Sequence, residues 1–393
     1  MPVAPTRLIL PLALLALALA PGLRAQTEPS EDVRKALLAQ KERAAVVLQR
    51  GRQPHYAVKF DLSGLPHYIP GPPLSGWLRL HGSNYLADGA LGEYWQRAFA
   101  KFQPDIRISY YLPTAAVAFA ALYYNEADLV MGHHPGFYDL LAYERVMNCD
   151  PIEFTVVTGS YDVAGWENST VILVNHACPL QGITMRQLDG VFGAARDGGW
   201  AGTNFRPDRA RGPEGNIRTW GQLGLTGAWA NQRIHVYGFN LRYNTATDFS
   251  DKVLAGSDKW NEDLHGFAHI VRPDGTRYIE ADQITDALAR DPYGIAYNRY
   301  RGERPGVRRI AVAAADGGPF IPHTITTVQN RTYPLYNEAY FYTNLKPGTP
   351  LNPLVKEFIR FVLSQEGQAE VVRDGKYLPL TAEVVREQLA KLP

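Results

Sequence analysis

The chain has 393 residues, of which 46% are hydrophobic and 20% are charged, and its formal net charge is +1. At roughly 100–200 residues per domain, this length predicts two domains, or three. The near-neutral balance excludes a general affinity for nucleic acid or for an anionic membrane, so any basic site must be local.

The first residues predict export across a membrane. An apolar run, Leu8–Ala20, follows Arg7, and the residues up to Ala25 suit a signal-peptide cleavage site. The run is shorter than the ~20 residues that a membrane-spanning helix needs. An uncleaved anchor is the alternative. We therefore expect a mature protein in the periplasm, with the signal peptide at residues 1–25.

Two further segments precede the main fold. Glu31–Arg52 carries apolar side chains at helical spacing, which predicts an amphipathic helix. Gln53–Gly76 is rich in Pro and Gly, which predicts a linker along the surface. This helical extension and linker, residues 26–76, are expected to serve packing or spacing.

From Trp77 onward, strand patterns alternate with helix patterns. The order strand, helix, strand, helix, strand at the start predicts a parallel sheet with crossover helices. The predicted strands are Trp77–Leu80, Ile106–Tyr111, Ala127–Met131, Val156–Val157, Thr170–Asn175 and Ile234–Tyr237. The predicted helices are Gly89–Phe102, Thr114–Tyr124, Thr184–Phe192, Asp282–Arg290, Leu354–Leu363, Gln368–Arg373 and Ala382–Lys391.

Arg196–Trp220 interrupts this alternation. The segment holds five Arg and five Gly with few apolar residues. Since charged runs are usually solvated, it predicts a long surface loop. The alternative is a basic lip that steers anions toward a site.

Three loops carry polar side chains after strands. Ligands of open α/β sheets bind beyond the carboxyl ends of the strands, on the loops and helix starts that follow. Each loop can equally be a capped helix entry or a structural turn. The candidates are Gly82, Ser83 and Asn84 in the first loop, His133 in the second, and Arg242, Thr245 and Thr247 in the third.

The third loop is the most informative. His235–Leu254 reads as a strand, a turn of short polar side chains and a helix. A helix start leaves its first N–H groups free and carries partial positive charge. With hydroxyl donors and the Arg242 guanidinium nearby, this arrangement predicts capture of a small oxyanion. If the guanidinium contacts the anion, Arg242→Ala should weaken binding by about 1.5–3 kcal/mol.

The cysteines, and the absence of familiar catalytic motifs, do not favour an enzyme. Cys149 and Cys178 could form one disulfide in an oxidising compartment, or stay as two buried free thiols. They fit no metal-binding motif, and we expect neither a metal nor a cofactor. The sequence has no G-x-S-x-G, P-loop or G-x-G-x-x-G motif, so no catalytic residue is predicted.

Two alternatives to simple solute capture stay open. A secreted metal hydrolase could use His81, His133 and His134 with a carboxylate. A binding protein without a transporter could instead serve a sensor or an envelope complex, with Glu31–Arg52 as its docking piece.

Short motifs spread over Trp77–Leu389 resemble a known family. In this order, they resemble the periplasmic phosphate-binding proteins of ABC importers, in the type II periplasmic binding protein superfamily. The motifs are Leu80–Leu86 (LHGSNYL), Glu126–Met131 (EADLVM), Val171–Asn175 followed by Gly182–Leu188, Tyr293–Tyr297 (YGIAY), and Tyr333–Leu335 with Ala339–Tyr342.

The resemblance implies an α/β fold of two hinged lobes, each a mostly parallel sheet flanked by helices. Lobe one is expected at 77–170 plus 336–393, and lobe two at 171–335. The resemblance also implies a monomer that captures phosphate or a related small oxyanion between the lobes for the membrane subunits of an ABC importer, with no nucleic-acid partner. Its ligand contacts would be Gly82, Ser83, Asn84, His133, Arg242, Thr245 and Thr247.

The chain departs from the family pattern at both ligand loops. Ala246 and Asp248 stand in the third loop, where the family has an intact Ser-Gly-Thr turn. His133 and His134 stand where the family has Ser and Arg. Imidazole becomes a good anion anchor only when it is protonated, below about pH 6.5.

Overall fold

The structure is a computed structural model that describes residues 55–393. The predicted signal peptide and the helix predicted over Glu31–Arg52 lie outside the described residues. None of the helices within 55–393 has the length and hydrophobicity that crossing a bilayer requires.

The described chain contains strands of two to seven residues. In chain order they are β1 (Gly76–Gly82), β2 (Ile106–Tyr111), β3 (Leu129–Gly132), β4 (Ile152–Thr158), β5 (Thr170–Asn175), β6 (Gly182–Thr184), β7 (Gly199–Ala201), β8 (Asn204–Arg206), β9 (His235–Phe239), β10 (His265–Phe267), β11 (Ile270–Val271), β12 (Arg277–Tyr278), β13 (Gly294–Arg299), β14 (Val307–Arg309), β15 (Ala311–Ala313) and β16 (Glu338–Thr343).

Helices connect and cover these strands. They are α1 (Tyr85–Asp88), α2 (Leu91–Phe99), α3 (Ala118–Tyr123), α4 (Phe137–Met147), α5 (Met185–Phe192), α6 (Asn244–Val253), α7 (Glu280–Ala289), α8 (Ile325–Gln329), α9 (Pro353–Val362), α10 (Gln365–Asp374) and α11 (Ala382–Ala390).

Two five-stranded sheets organise the molecule. The first has the order β2-β1-β3-β16-β4, with β1 parallel to β2 and β3, and with β16 antiparallel to both of its neighbours. The second has the order β10-β9-β13-β5-β14, with β9 parallel to β10 and β13, and with β5 antiparallel to β13 and β14. We call the parts built on these sheets lobe one and lobe two.

Local sequence explains why the central elements form. All six residues of β5 (TVILVN) are buried, and such a β-branched run suits a central strand covered on both faces. Asn352 begins α9 by accepting the N–H of Leu354 at 3.0 Å, and Pro353 follows at the first helical position. Each lobe thus has its own core, with Trp95 buried in lobe one and Trp220 in lobe two.

The segment before β1 lies against lobe one. Leu65 and Tyr68 are buried in its core, and the Tyr68 hydroxyl donates to Glu357 Oε2 at 2.7 Å. The N–H groups of His55 and Tyr56 both donate to the carbonyl of Gly375 at 2.9 Å. These contacts fix the entry of the chain into lobe one.

Two chain segments cross between the lobes. Residues 159–169 lead from β4 to β5, and residues 333–337 lead back to β16. The two segments are hydrogen-bonded to each other, from Gly159 N to Asn337 O at 2.7 Å and from Asn337 Nδ2 to Asn168 O at 2.9 Å. We call this hydrogen-bonded pair of crossing segments the hinge.

Both cysteines are free thiols in the structure. Cys178 is buried in the core of lobe two, whereas Cys149 follows α4 in lobe one. Cys149 is only partly buried, unlike the pair of buried thiols that the sequence offered as the alternative, and a bridge between Cys149 and Cys178 stays a prediction.

Arg196–Trp220 is more ordered than a solvated loop. It contains the β7–β8 hairpin, and two of its five arginines, Arg196 and Arg211, are buried against an acidic side chain. Arg196 makes a bidentate contact with Asp189 of α5, at 2.6 and 2.7 Å, and Arg211 reaches the same carboxylate at 3.2 Å. Because both guanidinium groups are buried around one shared carboxylate, these two arginines do not form a basic lip on the surface.

Candidate functional site

The candidate site is a cavity between the lobes, beside the hinge. Its volume is about 260 Å³, and it is open to solvent on one side. Both lobes and both crossing segments supply its walls. It is lined by His133, His134, Glu167, Asp248, Asp251, Lys252, Asn337, Glu338 and Tyr340.

Lobe two contributes one face of α6. Asp251 and Lys252 lie three and four residues after Asp248, which places their side chains on the same side of the helix as that of Asp248. The helix begins at Asn244, and the residue before it, Tyr243, makes no side-chain cap. The cavity therefore runs along the middle and the C-terminal part of α6, and none of the residues 244–247 at the helix start lines it.

Lobe one contributes the loop after β3. His133 Nδ1 lies 3.4 Å from Asn244 Nδ2 on the first turn of α6. Three residues further along, Gly136 lies against the side chain of Thr247. The second and third loops of the sequence analysis therefore meet across the cavity, one from each lobe.

Two of the four lining carboxylates are neutralised by arginines. Asp248 forms an ion pair with Arg299, a largely buried side chain that also donates to Thr245 Oγ1 at 3.2 Å. Glu338 pairs with Arg331 at 2.5 Å. Asp248 thus carries no free negative charge toward the helix start, because Arg299 compensates it.

The other two carboxylates, those of Glu167 and Asp251, have neither an ion-pair nor a hydrogen-bond partner within residues 55–393. Burial raises the pKa of Glu167, and it raises the pKa of Asp251 to about 6. Both groups therefore take up a proton more readily than ordinary carboxylates.

Lys252 is the lysine of the cavity wall. Its ammonium group donates to the backbone oxygen of Tyr336 and to Asn337 Oδ1, the latter at 2.7 Å. The side chain remains exposed to solvent at the edge of the cleft. Desolvation by the neighbouring protein lowers the pKa of Lys252 to about 8. The group is cationic at neutral pH and joins α6 to a crossing segment.

The side chain of His134 is held in place by residues of lobe one. Its Nδ1 lies 3.5 Å from Glu153, which also accepts a hydrogen bond from the Tyr342 hydroxyl at 2.8 Å. Burial disfavours the charged imidazole, but the hydrogen bond and charge of Glu153 outweigh burial and raise the pKa of His134. Mild acid therefore adds positive charge to this wall.

The first predicted loop does not line the cavity. Gly82 has a φ of +121°, and a Cβ there would stand 2.1 Å from the carbonyl oxygen of Met131, so the glycine is needed for strand packing. Ser83 is buried and donates its N–H to the same carbonyl at 2.9 Å. Asn84 donates to Asp88 at 2.6 Å.

The third predicted loop is divided between two environments. Thr245 and Thr247 lie on the first turn of α6, in contact with Arg299 and Gly136 respectively. Arg242 is exposed, and its guanidinium contacts the Tyr243 hydroxyl at 3.0 Å and His269 at 3.3 Å. Neither partner of Arg242 lines the cavity, and its part in ligand binding stays a prediction.

Several lining residues were not foreseen from the sequence. Asp251 and Lys252 could have been found by counting three and four positions from Asp248 along the predicted helix. Glu167 and Asn337 lie in the crossing segments, where no periodicity marks which side chains face inward. No group of three or more His, Cys, Asp or Glu side chains in the described chain is placed to hold a metal ion.

The lobes also touch outside the cavity. Phe137 of α4 meets Trp200 of the β7–β8 hairpin, edge to face, with ring centroids 4.8 Å apart. Next to this pair, Thr203 Oγ1 donates to the carboxylate of Glu144 at 2.8 Å. Because α4 belongs to lobe one and the hairpin to lobe two, this contact restrains opening of the cleft.

Trp200→Ala is expected to shift the unliganded protein toward open forms. Loss of one aromatic pair removes about 0.5–1.5 kcal/mol, which changes the ratio of closed to open molecules by up to about tenfold. Small-angle X-ray scattering should show a larger radius of gyration. Phe205→Ala is the matched control, since Phe205 contacts Trp200 from the same hairpin. Identical scattering for Trp200→Ala and wild type would contradict a restraining role.

Comparison with known proteins identifies the family to which the chain belongs. Residues 166–366 match the family model described as a PBP superfamily domain. The chain is 28% identical over 329 residues to the phosphate-binding protein PstS of Pseudomonas aeruginosa, covering 84% of this chain and 90% of that protein. It is 23% identical over 181 residues to PstS of Staphylococcus epidermidis, covering 45% of this chain and 50% of that protein.

Among solved structures, PstS from Borrelia burgdorferi is similar with a TM-score of 0.47 and 12% identity, over 78% of this chain and all of that one. The family model spans just over half of the 393 residues and includes the second crossing segment and all of lobe two's sheet. The resemblance indicated by the sequence motifs is thereby confirmed, and this chain belongs to the PBP superfamily.

Proposed function

We propose that this protein is an extracytoplasmic solute-binding protein that captures phosphate or a related small oxyanion and delivers it to an ABC importer. The observation that carries the proposal is the cavity between the two lobes, bordered by the Lys252 ammonium on one side and by His133 and His134 on the other. The relatives from Pseudomonas and Staphylococcus, which bear the name phosphate-binding protein, support the choice of ligand.

Both lobes supply contacts to the ligand in this proposal. Lys252, Thr245 and Thr247 belong to lobe two, and His133 belongs to lobe one. A ligand that contacts both lobes favours the closed form, because only that form makes all of its hydrogen bonds. Gly82, Ser83 and Asn84 do not line the cavity and are not among the proposed contacts. Binding and release need no covalent chemistry.

The same proposal places the protein in the periplasm as a monomer, after cleavage of the signal peptide near Ala25. Importer subunits would then recognise the closed form.

Titration calorimetry tests the function directly. Inorganic phosphate, sulfate and ethyl phosphate are titrated into the mature protein at pH 5.5 and at pH 7.5. Saturable heat for phosphate or ethyl phosphate, together with a smaller radius of gyration in the bound state, is expected. No heat from any of the three at either pH would overturn the proposal. Bound zinc with phosphatase turnover would instead favour the metal hydrolase.

Asp251→Asn is expected to make phosphate binding less dependent on pH. Above its pKa of about 6, Asp251 is ionised and repels an anion, and below this pKa it is neutral. Removing this charge should tighten phosphate binding at pH 7.5 and change it little at pH 5.0, because the carboxylate is largely ionised only at the higher of the two pH values. The ratio of the two proteins' affinities cancels the titration of phosphate itself. A ratio that is constant between the two pH values would contradict the role of Asp251.

A further inference from the structure

The first described residues, 55–65, cross the hinge and contact both lobes, and we call them the strap. The N–H groups of His55 and Tyr56 donate at 2.9 Å to the backbone carbonyl that follows α10 in lobe one. The side chains of Tyr56 and Phe60 then pack against the core of lobe two, and Leu65 is buried in the core of lobe one. The strap is therefore held by lobe one at both ends and by lobe two in between.

The hydroxyl of Tyr56 is bonded to the first crossing segment. Its oxygen accepts the N–H groups of Tyr161 and Asp162, at 2.8 and 3.2 Å, and the hydroxyl donates to Asp162 Oδ1 at 3.1 Å. His55 Nε2 lies 2.9 Å from the same carboxylate oxygen. One side chain of the strap thus makes three hydrogen bonds to the hinge itself.

The part of the crossing segment that Tyr56 holds is fixed to lobe two. The ring of Tyr161 stacks on His323, with ring centroids 4.6 Å apart, and its hydroxyl accepts a hydrogen bond from Arg309 of β14 at 2.9 Å. His323 is buried, and its Nε2 lies 2.6 Å from Ser169 Oγ at the far end of the same crossing segment. The side chain of Tyr56 is therefore bound to lobe two, while its backbone N–H is bound to lobe one.

We propose that the strap is a built-in clamp that stabilises the closed arrangement of the two lobes, in which α4 touches the β7–β8 hairpin. A segment that binds both lobes favours the arrangement in which all of its contacts are made. Rotation of lobe two away from lobe one has to break the contacts of Tyr56 and Phe60 or the backbone hydrogen bonds to lobe one, because hydrogen bonds weaken steeply when their geometry is lost. The clamp goes beyond solute capture, since it acts on the empty protein.

Tyr56→Phe tests the clamp, because it removes the hydroxyl and keeps the ring. In the unliganded protein, the ratio of closed to open molecules is expected to fall about fivefold, which corresponds to the net free energy of roughly one hydrogen bond. Small-angle X-ray scattering should show a larger radius of gyration. The measurement is made in the wild type and in the Trp200→Ala background, where the contact between the lobes is already weakened.

Tyr68→Phe is the matched control for Tyr56→Phe. The Tyr68 hydroxyl donates to Glu357 Oε2 at 2.7 Å, within lobe one, so its loss should leave the radius of gyration unchanged. Phe60→Ala is a second test of the strap. It removes packing on lobe two, leaves the hydrogen bonds of Tyr56 in place, and should enlarge the radius of gyration as Tyr56→Phe does. Circular dichroism verifies that each variant is folded.

The scattering experiment uses no ligand, so its result does not depend on the proposed function. If neither Tyr56→Phe nor Phe60→Ala enlarged the radius of gyration in either background, the strap would not be a clamp. An equal increase in Tyr68→Phe would also overturn the inference, because the effect would then follow from the loss of any buried hydroxyl. Absence of phosphate binding would overturn the proposed function and leave the result for the strap standing.

Discussion

Asp189→Ala is expected to lower the free energy of unfolding by about 3–5 kcal/mol, the usual result of removing one partner from a buried ion pair. Asp189 is the shared partner of Arg196 and Arg211, and the side chains of Asp189 and Arg196 are only 11% and 7% exposed. Without the carboxylate, two guanidinium groups stay buried next to each other. Urea unfolding followed by tryptophan fluorescence measures the change.

Asp208→Ala is the matched control for Asp189→Ala. Asp208 pairs with Arg206 in the same arginine-rich segment, at 2.8 Å, but the two side chains are 60% and 46% exposed. Water screens such a pair, so its removal should leave the unfolding midpoint almost unchanged. If both substitutions lowered the free energy of unfolding equally, burial would not explain how much these ion pairs contribute to stability.

Lys252→Met is expected to weaken phosphate binding at least tenfold and up to about a hundredfold, because a charge-assisted hydrogen bond is worth about 1.5–3 kcal/mol. The methionine keeps most of the apolar length of the side chain and removes the cation from the lining. Titration calorimetry at pH 6.0, where Lys252 is fully charged, gives the affinity.

Two controls accompany Lys252→Met. Lys259→Met removes an exposed lysine whose nearest carboxylate, Asp258, is 3.7 Å away, and it should bind phosphate like the wild type. Arg242→Ala tests the predicted anchor that the structure places against Tyr243 and His269. If Arg242→Ala lost much of the affinity for phosphate and Lys252→Met lost none, the oxyanion site would not lie in the cavity.

The sequence was most informative where burial and periodicity agree. The strands Ile106–Tyr111 and Thr170–Asn175 have the predicted bounds, since β-branched and aromatic residues fill both. By contrast, α4 was not predicted. Only Tyr143 of its eleven residues is buried, so it lacks the apolar stripe that marks an amphipathic helix.

The candidate site was predictable only in part. Loops after strands drew attention to His133, and the α6 start drew attention to Thr245 and Thr247. The neutralisation of Asp248 by Arg299 could not be foreseen, because the two are joined only by tertiary packing. Glu167 and Asn337 approach each other because the two crossing segments, which are far apart in the sequence, run side by side in the structure. The hydrophobic pattern along the chain does not indicate such a contact.

The position of β16 has a consequence for how the molecule is assembled. This strand fills the gap between β3 and β4, yet it follows β4 only after the whole of lobe two. The sheet of lobe two, which is continuous in sequence, can be completed first, because its pairings are more local. Until β16 arrives, the facing edges of β3 and β4 are unpaired templates for other chains. A chain that stops before Glu338, or that is delayed there during export, is therefore the form most exposed to aggregation.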